Sequence, residues 1–296
     1  MKIAIIGTNG FLSTTIAKYA IEKGWELDIY GLDEPTQHSY THFYPIDLMS
    51  SNLDVDKLCG ADIIVYAVGA GVQSNLNEST DLIYALNVNA PVRLCNALKQ
   101  TEYNGVFITF GSYFELGETD LQRPATEEDI INATAPAPTD YVVSKRMLTR
   151  FVLSYKHEYT HWHFFLPTIY GPGENPKRLI PYTISAIRNG EDLHFTSGEQ
   201  VRQYLYVGDV AIAIGEAYNC QLVSGVYNLA GKETLSVRQL IYQIFEMMDS
   251  EIPNDCFGSA SRSDVSMKSL VLKGSKIKNH IGFEPKTQIS QIIDKY

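Results

Sequence analysis

The chain has 296 residues with 45% hydrophobic content, enough to bury a large core as one domain or as two closely joined ones. A net charge of −10 disfavours nucleic acid and anionic membranes as partners, and the longest apolar run, "IIVYAVGAGV" at 63–72, is about half of the roughly 20 residues that span a bilayer, so no membrane is expected. The start "MKIAIIG" lacks a signal-peptide pattern and the four cysteines, Cys59, Cys95, Cys220 and Cys256, form no close pair, which together point to free thiols in a reducing cytoplasm.

In chain order, strand-like apolar runs alternate with helical stretches. "KIAIIG" (2–7) leads into a helix over 11–23 closed by Gly24; "ELDIYG" (26–31) and "DIIVYAVG" (62–69) follow, then a helix over 79–100 that Pro91 kinks or divides. "VFITFG" (106–111) precedes a helix over 141–158, "HFFLPT" (163–168) is the next strand, and a helix over 209–218 leads to a last core strand at "VYNLAG" (226–231). Runs this rich in Ile, Val and Phe suit strands buried on both faces, and their alternation with helices predicts an α/β fold on a parallel sheet. After "YGPGENP" (170–176) turns and shorter elements take over. Residues 169–203 and 249–296 are therefore expected to form a smaller C-terminal lobe, and 1–168, joined again by 204–248, the main domain.

Local patterns point to chemistry. Directly after the first strand, "GTNGFLS" spaces Gly7 and Gly10 as G-x-x-G. A tight strand-to-helix turn there lets backbone N–H groups face a pyrophosphate, and Ser13, in the place of a third glycine, is small enough to keep helix against strand. "DYVVSK" (140–145) puts Tyr141 and Lys145 four apart on one helix face. An ammonium there favours the phenolate and draws a tyrosine down from about 10 toward neutrality. With 19 tyrosines and 15 lysines, about one such pair arises by chance. A second pair does occur, Tyr19 and Lys23, on the helix after the glycine loop, where a tyrosine more often fills a core. Ser112 ends the strand "FITFGS" and so falls at the carboxyl edge of the sheet, where open α/β folds bind ligands. His157, His161 and His163 straddle a helix–strand junction with no Cys or carboxylate to complete a set, so no metal site is expected. Glu127, Glu128 and Asp129 read as a solvated loop.

The glycine loop, Ser112 and Tyr141-x-x-x-Lys145, in that order, resemble the extended short-chain dehydrogenase/reductase family of nucleotide-sugar epimerases, dehydratases and reductases. The likeness runs over nearly the whole chain: "YPIDL" (44–48), "NVNAPVRLCNAL" (87–98), "PTIYGPG" (167–173), "VRQYLYVGDVA" (201–211), "VYNLAG" (226–231) and "SKIKNHIGFEPK" (275–286) resemble further family blocks in the right sequence. The resemblance implies a Rossmann-like, doubly wound parallel sheet with a substrate lobe, and a homodimer formed through the Tyr–Lys helix. It implies NAD or NADP held by Gly7, Asn9, Gly10, Phe11, Leu12, Asp33, Asp47, Leu48, Ala67, Asn87, Tyr141, Lys145 and Pro167. Tyr141 would exchange a proton with a sugar oxygen while the nicotinamide carbon exchanges a hydride; Lys145 would lower the tyrosine's pKa and hold the nicotinamide ribose; Ser112 would hydrogen-bond the reacting oxygen. Ser112, Tyr113, Thr168, Arg202 and Arg262 would contact a nucleotide-sugar substrate, Arg202 at its diphosphate.

Departures from the family pattern narrow the reaction. Dehydratases of the family carry Asp-Glu after the Ser/Thr; Tyr113 and Phe114 stand there and cannot replace a carboxylate pair, which argues against 4,6-dehydration. The block ends Glu115-Leu116-Gly117 instead of Val-Tyr-Gly, and the Arg-x-x-Asn that usually precedes Tyr-Gly-Pro is missing, with Leu166 and Thr168 in that stretch. These features tilt the expectation to a 4-keto-6-deoxy-sugar reductase, similar to the CDP-abequose and CDP-paratose synthases. A nucleotide-sugar 4-epimerase is the alternative, and a non-catalytic nucleotide-sensing or scaffold protein the third reading. At the cofactor, Gly31 takes the place of the ribose-binding acid, Asp33 lies two residues on, and no Arg or Lys occurs from 24 to 56. NAD and NADP both stay open, with the reductase analogy leaning to NADP.

Overall fold

Near-continuous apolar strands, buried on both faces, build the centre of the molecule. The computed structural model describes residues 1–50, 53–72, 77–260 and 267–296. In chain order the strands are β1 (Lys2–Ile6), β2 (Glu26–Gly31), β3 (His42–Pro45), β4 (Ile63–Tyr66), β5 (Val106–Ser112), β6 (Thr160–Leu166), β7 (Thr168–Tyr170), β8 (Val201–Tyr206), β9 (Gly225–Asn228), β10 (Glu233–Ser236) and β11 (Ser269–Leu270). Seven of them form one parallel sheet in the order β3-β2-β1-β4-β5-β6-β9. The order reverses between β1 and β4, so the loops at their carboxyl ends diverge and leave a crevice there. The other four form a small second sheet, with β7, β10 and β11 all pairing to β8.

One residue separates the two sheets along the chain. β6 ends at Leu166 in the main sheet and β7 begins at Thr168 in the small one, with Pro167 between them. Proline has no N–H for either ladder, which suits a point where one pairing stops and another starts. Residues 204–248 divide between the sheets: β10 pairs with β8, while the helix Val207–Asn219 packs with the helix Phe11–Glu22 against the main sheet beside β9. Tyr19 lies at this helix–helix contact, where a Cβ on Gly215 would meet its hydroxyl at 2.3 Å, and Lys23 sits over the Tyr19 ring. The pair is packing, as its position on that helix predicts.

Several boundaries differ from the sequence expectation. β3 is an additional edge strand, too short and too polar to show a period. The Tyr–Lys helix runs Asp140–Ser154, ending before 158, and β6 starts at Thr160. His161 and His163 thus fall on one strand two residues apart and share a face, both buried. The helix expected over 79–100 is Thr80–Tyr84 and Ala90–Lys99, joined by a π turn at Ala85–Asn89. Pro91 cannot donate to the carbonyl four residues back, and the ladder widens just ahead of it. Among the described residues, no helix is long and apolar enough to cross a membrane.

Candidate active site

The crevice at the carboxyl ends of β1, β4 and β5 holds a cavity of about 340 Å³ walled by Gly10, Phe11, Leu12, Ala67, Asn87, Ser112, Phe114, Tyr141, Lys145, Pro167, Thr168 and Arg178, among others. Its floor follows from local sequence. β1 passes into Gly7, whose φ of +119° few other residues adopt, and then into Gly10 at the N-cap of Phe11–Glu22. A Cβ on Gly7 would meet Val68 at 3.1 Å, and one on Gly10 would meet the Ser13 hydroxyl at 2.9 Å. Glycine at both places keeps the first-turn N–H groups of a 12-residue helix open to an anion. Asn9 has a φ of +53° and is spent on structure, donating to the Glu34 carbonyl at 3.1 Å and accepting from Thr36 N at 3.1 Å.

Asn87 sits in the π turn and is almost wholly buried. Its amide oxygen accepts from Ala70 N at 2.9 Å, and its nitrogen donates to Ala70 O at 2.9 Å and to Ser144 Oγ at 3.0 Å. It thereby ties the loop after β4 to the Tyr–Lys helix. That helix starts where Thr139 caps it by accepting from Val142 N, with Asp140 in the first turn. Tyr141 and Lys145 face the cavity from its first two turns.

The catalytic candidates meet. Ser112, Tyr141 and Lys145 line one cavity, and Lys145 Nζ donates to the Phe110 carbonyl at 2.9 Å while lying 5.8 Å from the Tyr141 ring centre. The electrostatics correct one expectation. Burial pushes the Tyr141 phenol up to about 12, the neighbouring Ser112 hydroxyl opposing the shift, and burial brings Lys145 down to about 8. The phenol is not drawn toward neutrality here, because desolvation outweighs the groups that lower it, the Ser112 hydroxyl first and the Arg178 charge after it.

Other expected residues stand elsewhere. Tyr113 is fully buried in the core; its hydroxyl bonds Thr168 Oγ1 and so supports the cavity wall from behind. Neither Asp33, Asp47 nor Leu48 walls the cavity. Asp33 is exposed in the loop after β2. Asp47 closes its own turn by accepting from Met49 N at 2.9 Å and Ser50 Oγ at 2.8 Å, which holds its carboxyl below the usual range. Leu48 packs in the core layer under Ala90 and Leu94. A side chain at Gly31 would meet Thr8 at 2.6 Å, so no ribose-binding acid fits there. Arg262 lies outside the described residues.

A second recess of about 320 Å³ adjoins the first through Thr168 and Arg178 and is walled by Lys177, Tyr182, His194, Phe195, Arg202 and Tyr204. Arg202 is 7% exposed, and its Nη1 donates to the Val201 carbonyl at 2.8 Å. Among the described residues no carboxylate lies within salt-bridge distance of it. Arg178, by contrast, is paired with Glu174 at 3.1 Å. Sequence reasoning missed Arg178, Lys177 and Phe195; the basic pair ahead of the apolar turn in "PKRLIP" is the one local signal that marks two of them.

The model of the NAD dependent epimerase/dehydratase family matches residues 3–230. The chain belongs to this family. Its members are NAD-dependent enzymes that modify nucleotide sugars, so the chain is an enzyme rather than a scaffold, and its cofactor is a nicotinamide dinucleotide. It is 23% identical over 273 residues to the CDP-abequose synthase of Salmonella muenchen, covering 85% of this chain and 87% of that protein. Among solved structures, MoeE5 in complex with UDP-glucuronic acid and NAD superposes with a TM-score of 0.83 at 22% identity, over 99% of this chain and 97% of that one. The UDP-glucuronic acid 4-epimerase of Bacillus cereus superposes equally, at 0.83 and 17% identity, over 99% and 97%. Both share the fold. The open glycine floor and the N-terminus of the helix that follows it suit a dinucleotide's pyrophosphate, and Lys145 and Tyr141 line the same cavity.

Proposed function

We propose that this family member reduces the C4 carbonyl of a 4-keto-6-deoxy sugar carried on a nucleoside diphosphate, with Tyr141 as the proton donor and NAD as the coenzyme. One observation carries the reading. Ser112, Tyr141 and Lys145 face a single cavity in which the neighbouring place is taken by Phe114, with Tyr113 turned into the core, so the acid and base that eliminate water are lacking at those two places. NAD replaces the earlier lean to NADP, because the exposed Asp33 and Glu34 in the loop after β2 would repel a 2′-phosphate and no Arg or Lys stands between 24 and 56 to receive it.

The bound nicotinamide supplies the hydride. Ser112 Oγ and Tyr141 Oη hold the carbonyl oxygen, and Tyr141 Oη gives it a proton as negative charge develops there, so one hydride and one proton turn the ketone into an alcohol. A phenol held near 12 is fully protonated at neutral pH, the state a donor needs. Lys145 adds positive charge beside the developing alkoxide. Lys177, Arg178 and Arg202 offer cations for the diphosphate, and Phe195 and Tyr182 flat faces for the base, which makes this recess beside the small sheet the substrate-recognition part.

A 4-epimerase would use the same residues, returning the hydride to the other face of the ketone, and the match to the Bacillus cereus epimerase favours keeping that second reading. Mass spectrometry of the protein with UDP-, CDP-, GDP- and dTDP-linked sugars, 4-keto-6-deoxy forms included, separates them. A product two mass units heavier that appears only with added NADH is expected. An isobaric product with a new retention time and no NADH consumed would replace the reductase by the epimerase. The proposal includes a homodimer through the Tyr–Lys helix, supported by Met147 and Leu153, exposed on it at 46% and 43%. Sedimentation velocity is expected to give a dimer, and a monomer at micromolar concentration would remove this part.

A further inference from the structure

Behind Tyr141 and Lys145 lies a buried carboxylate that the reaction above leaves without a task. Glu115 is 0% exposed. Its Oε1 accepts the Ser112 backbone N–H at 2.8 Å, and its Oε2 accepts the Thr149 hydroxyl at 2.6 Å. Thr149 Oγ1 is also 3.0 Å from His163 Nε2; His163 Nδ1 is 2.7 Å from Thr109 Oγ1, which is 2.9 Å from His161 Nε2. All five side chains are buried. The backbone makes room for them: a Cβ on Gly111 would meet His163 Nε2 at 2.6 Å and Glu115 Oε1 at 2.7 Å.

The donors and acceptors can be ordered in one way when Glu115 is ionised. Thr149 spends its hydrogen on the carboxylate, so its oxygen must accept from His163 Nε2–H. Burial pushes His163 down to about 3, so the ring is neutral and its Nδ1 accepts from the Thr109 hydroxyl. Thr109 then accepts from His161 Nε2–H. Every hydrogen in the chain points toward Glu115. The groups that face the carboxylate are Lys145, Arg146 and Tyr141 from the Tyr–Lys helix, His163 from β6, and Ser112 and Tyr113 from its own turn; Arg146 Nε also donates to the Glu115 carbonyl at 2.6 Å.

We propose that Glu115 is a positioning residue for the reaction: its carboxylate fixes the Ser112 turn through the backbone N–H and acts as the internal counter-charge of Lys145, with the Thr149–His163–Thr109–His161 chain holding that charge in place. The proposal rests on the reading of Tyr141 and Lys145 as the proton-transfer pair. Burial lifts Glu115 to about 7 and lowers Lys145 to about 8, and the ionised carboxylate pulls Lys145 back up. Removing the carboxylate therefore lowers the lysine further. It also removes a charge that raises Tyr141. Both changes move the alkaline limb of activity to lower pH.

Glu115→Gln tests this with two readouts that need no turnover. The glutamine can still accept from Ser112 N–H, yet it offers Thr149 a donor in place of an acceptor, so the chain of hydrogens must reverse and the His163 proton move from Nε2 to Nδ1. In ¹⁵N spectra that tautomer exchange is expected. In a ¹³C titration of lysine, with Lys145 assigned through Lys145→Met, the midpoint is expected to fall by about one pH unit. Turnover is expected to drop about tenfold with KM nearly unchanged. Should Glu115→Gln fail to fold, Thr149→Val removes one donor from the carboxylate, which raises its titration and lowers the Lys145 midpoint in the same direction by less. An unmoved Lys145 midpoint overturns the proposal whatever happens to activity. A moved midpoint in a protein that turns over no sugar leaves this coupling standing and removes the reductase reading instead.

Discussion

Tyr141→Phe is expected to lower turnover by about 10²–10⁴-fold while leaving NADH affinity within about threefold, read by single-turnover absorbance and by fluorescence titration. The substitution removes one oxygen and little else. The ring keeps its edge contact with Phe114 at 6.4 Å, the Thr139 cap and Asp140 are untouched, and Ser112 retains its bond from Phe114 N. The loss should therefore fall on the chemical step and not on cofactor binding. Burial places the phenol near 12, far from the pH of assay, so the wild-type rate should show no limb from deprotonation of Tyr141 around neutrality in the absence of other charges. Turnover that survives in the phenylalanine variant would transfer the proton to another group and sink the assignment.

Arg202→Met is expected to weaken nucleoside diphosphate binding by about 10–100-fold, the worth of a charge-assisted contact, while raising the thermal midpoint by a few degrees. Both halves come from one feature. A guanidinium that is 7% exposed, with a bond to the Val201 carbonyl but no carboxylate partner among the described residues, keeps its charge out of water unneutralised, which costs stability until an anion arrives. Methionine keeps the stem's packing and removes that cost. Arg178 differs, since Glu174 already neutralises it. Calorimetry with a panel of nucleoside diphosphates and a thermal melt of both proteins check the pair of effects. A variant that binds diphosphates as well as the wild type would place the anion elsewhere in the recess.

Much of the site was legible because it is carried by short-range patterns. Gly7 and Gly10 answer to a turn between a strand and a helix, and Tyr141 and Lys145 to one helix face, so spacing alone brings each pair together. What spacing cannot carry is the direction of a side chain once the core closes. Tyr113 and Phe114 are adjacent, yet one turns into the core and the other onto the cavity. Asp47 has an acid's chemistry but spends it on Met49 and Ser50. The strand start at Thr160 moved His161 and His163 onto one buried face, a matter of three residues that decided their surroundings.

The sequence by itself determined the α/β class, the parallel main sheet, the place of the dinucleotide loop and the identity of the proton-transfer candidates, because apolar period, glycine spacing and helix periodicity are local properties. Only the tertiary structure decided that Arg178, at the N-cap of the helix Leu179–Asn189, and Arg202, on β8, wall one recess beside Thr168, and that Glu115 lies under Gly111 against His163. It also decided the sign of the Tyr141 shift. Desolvation depends on everything packed around a group, which no neighbourhood in the sequence records, and here it outweighs the groups that lower the phenol.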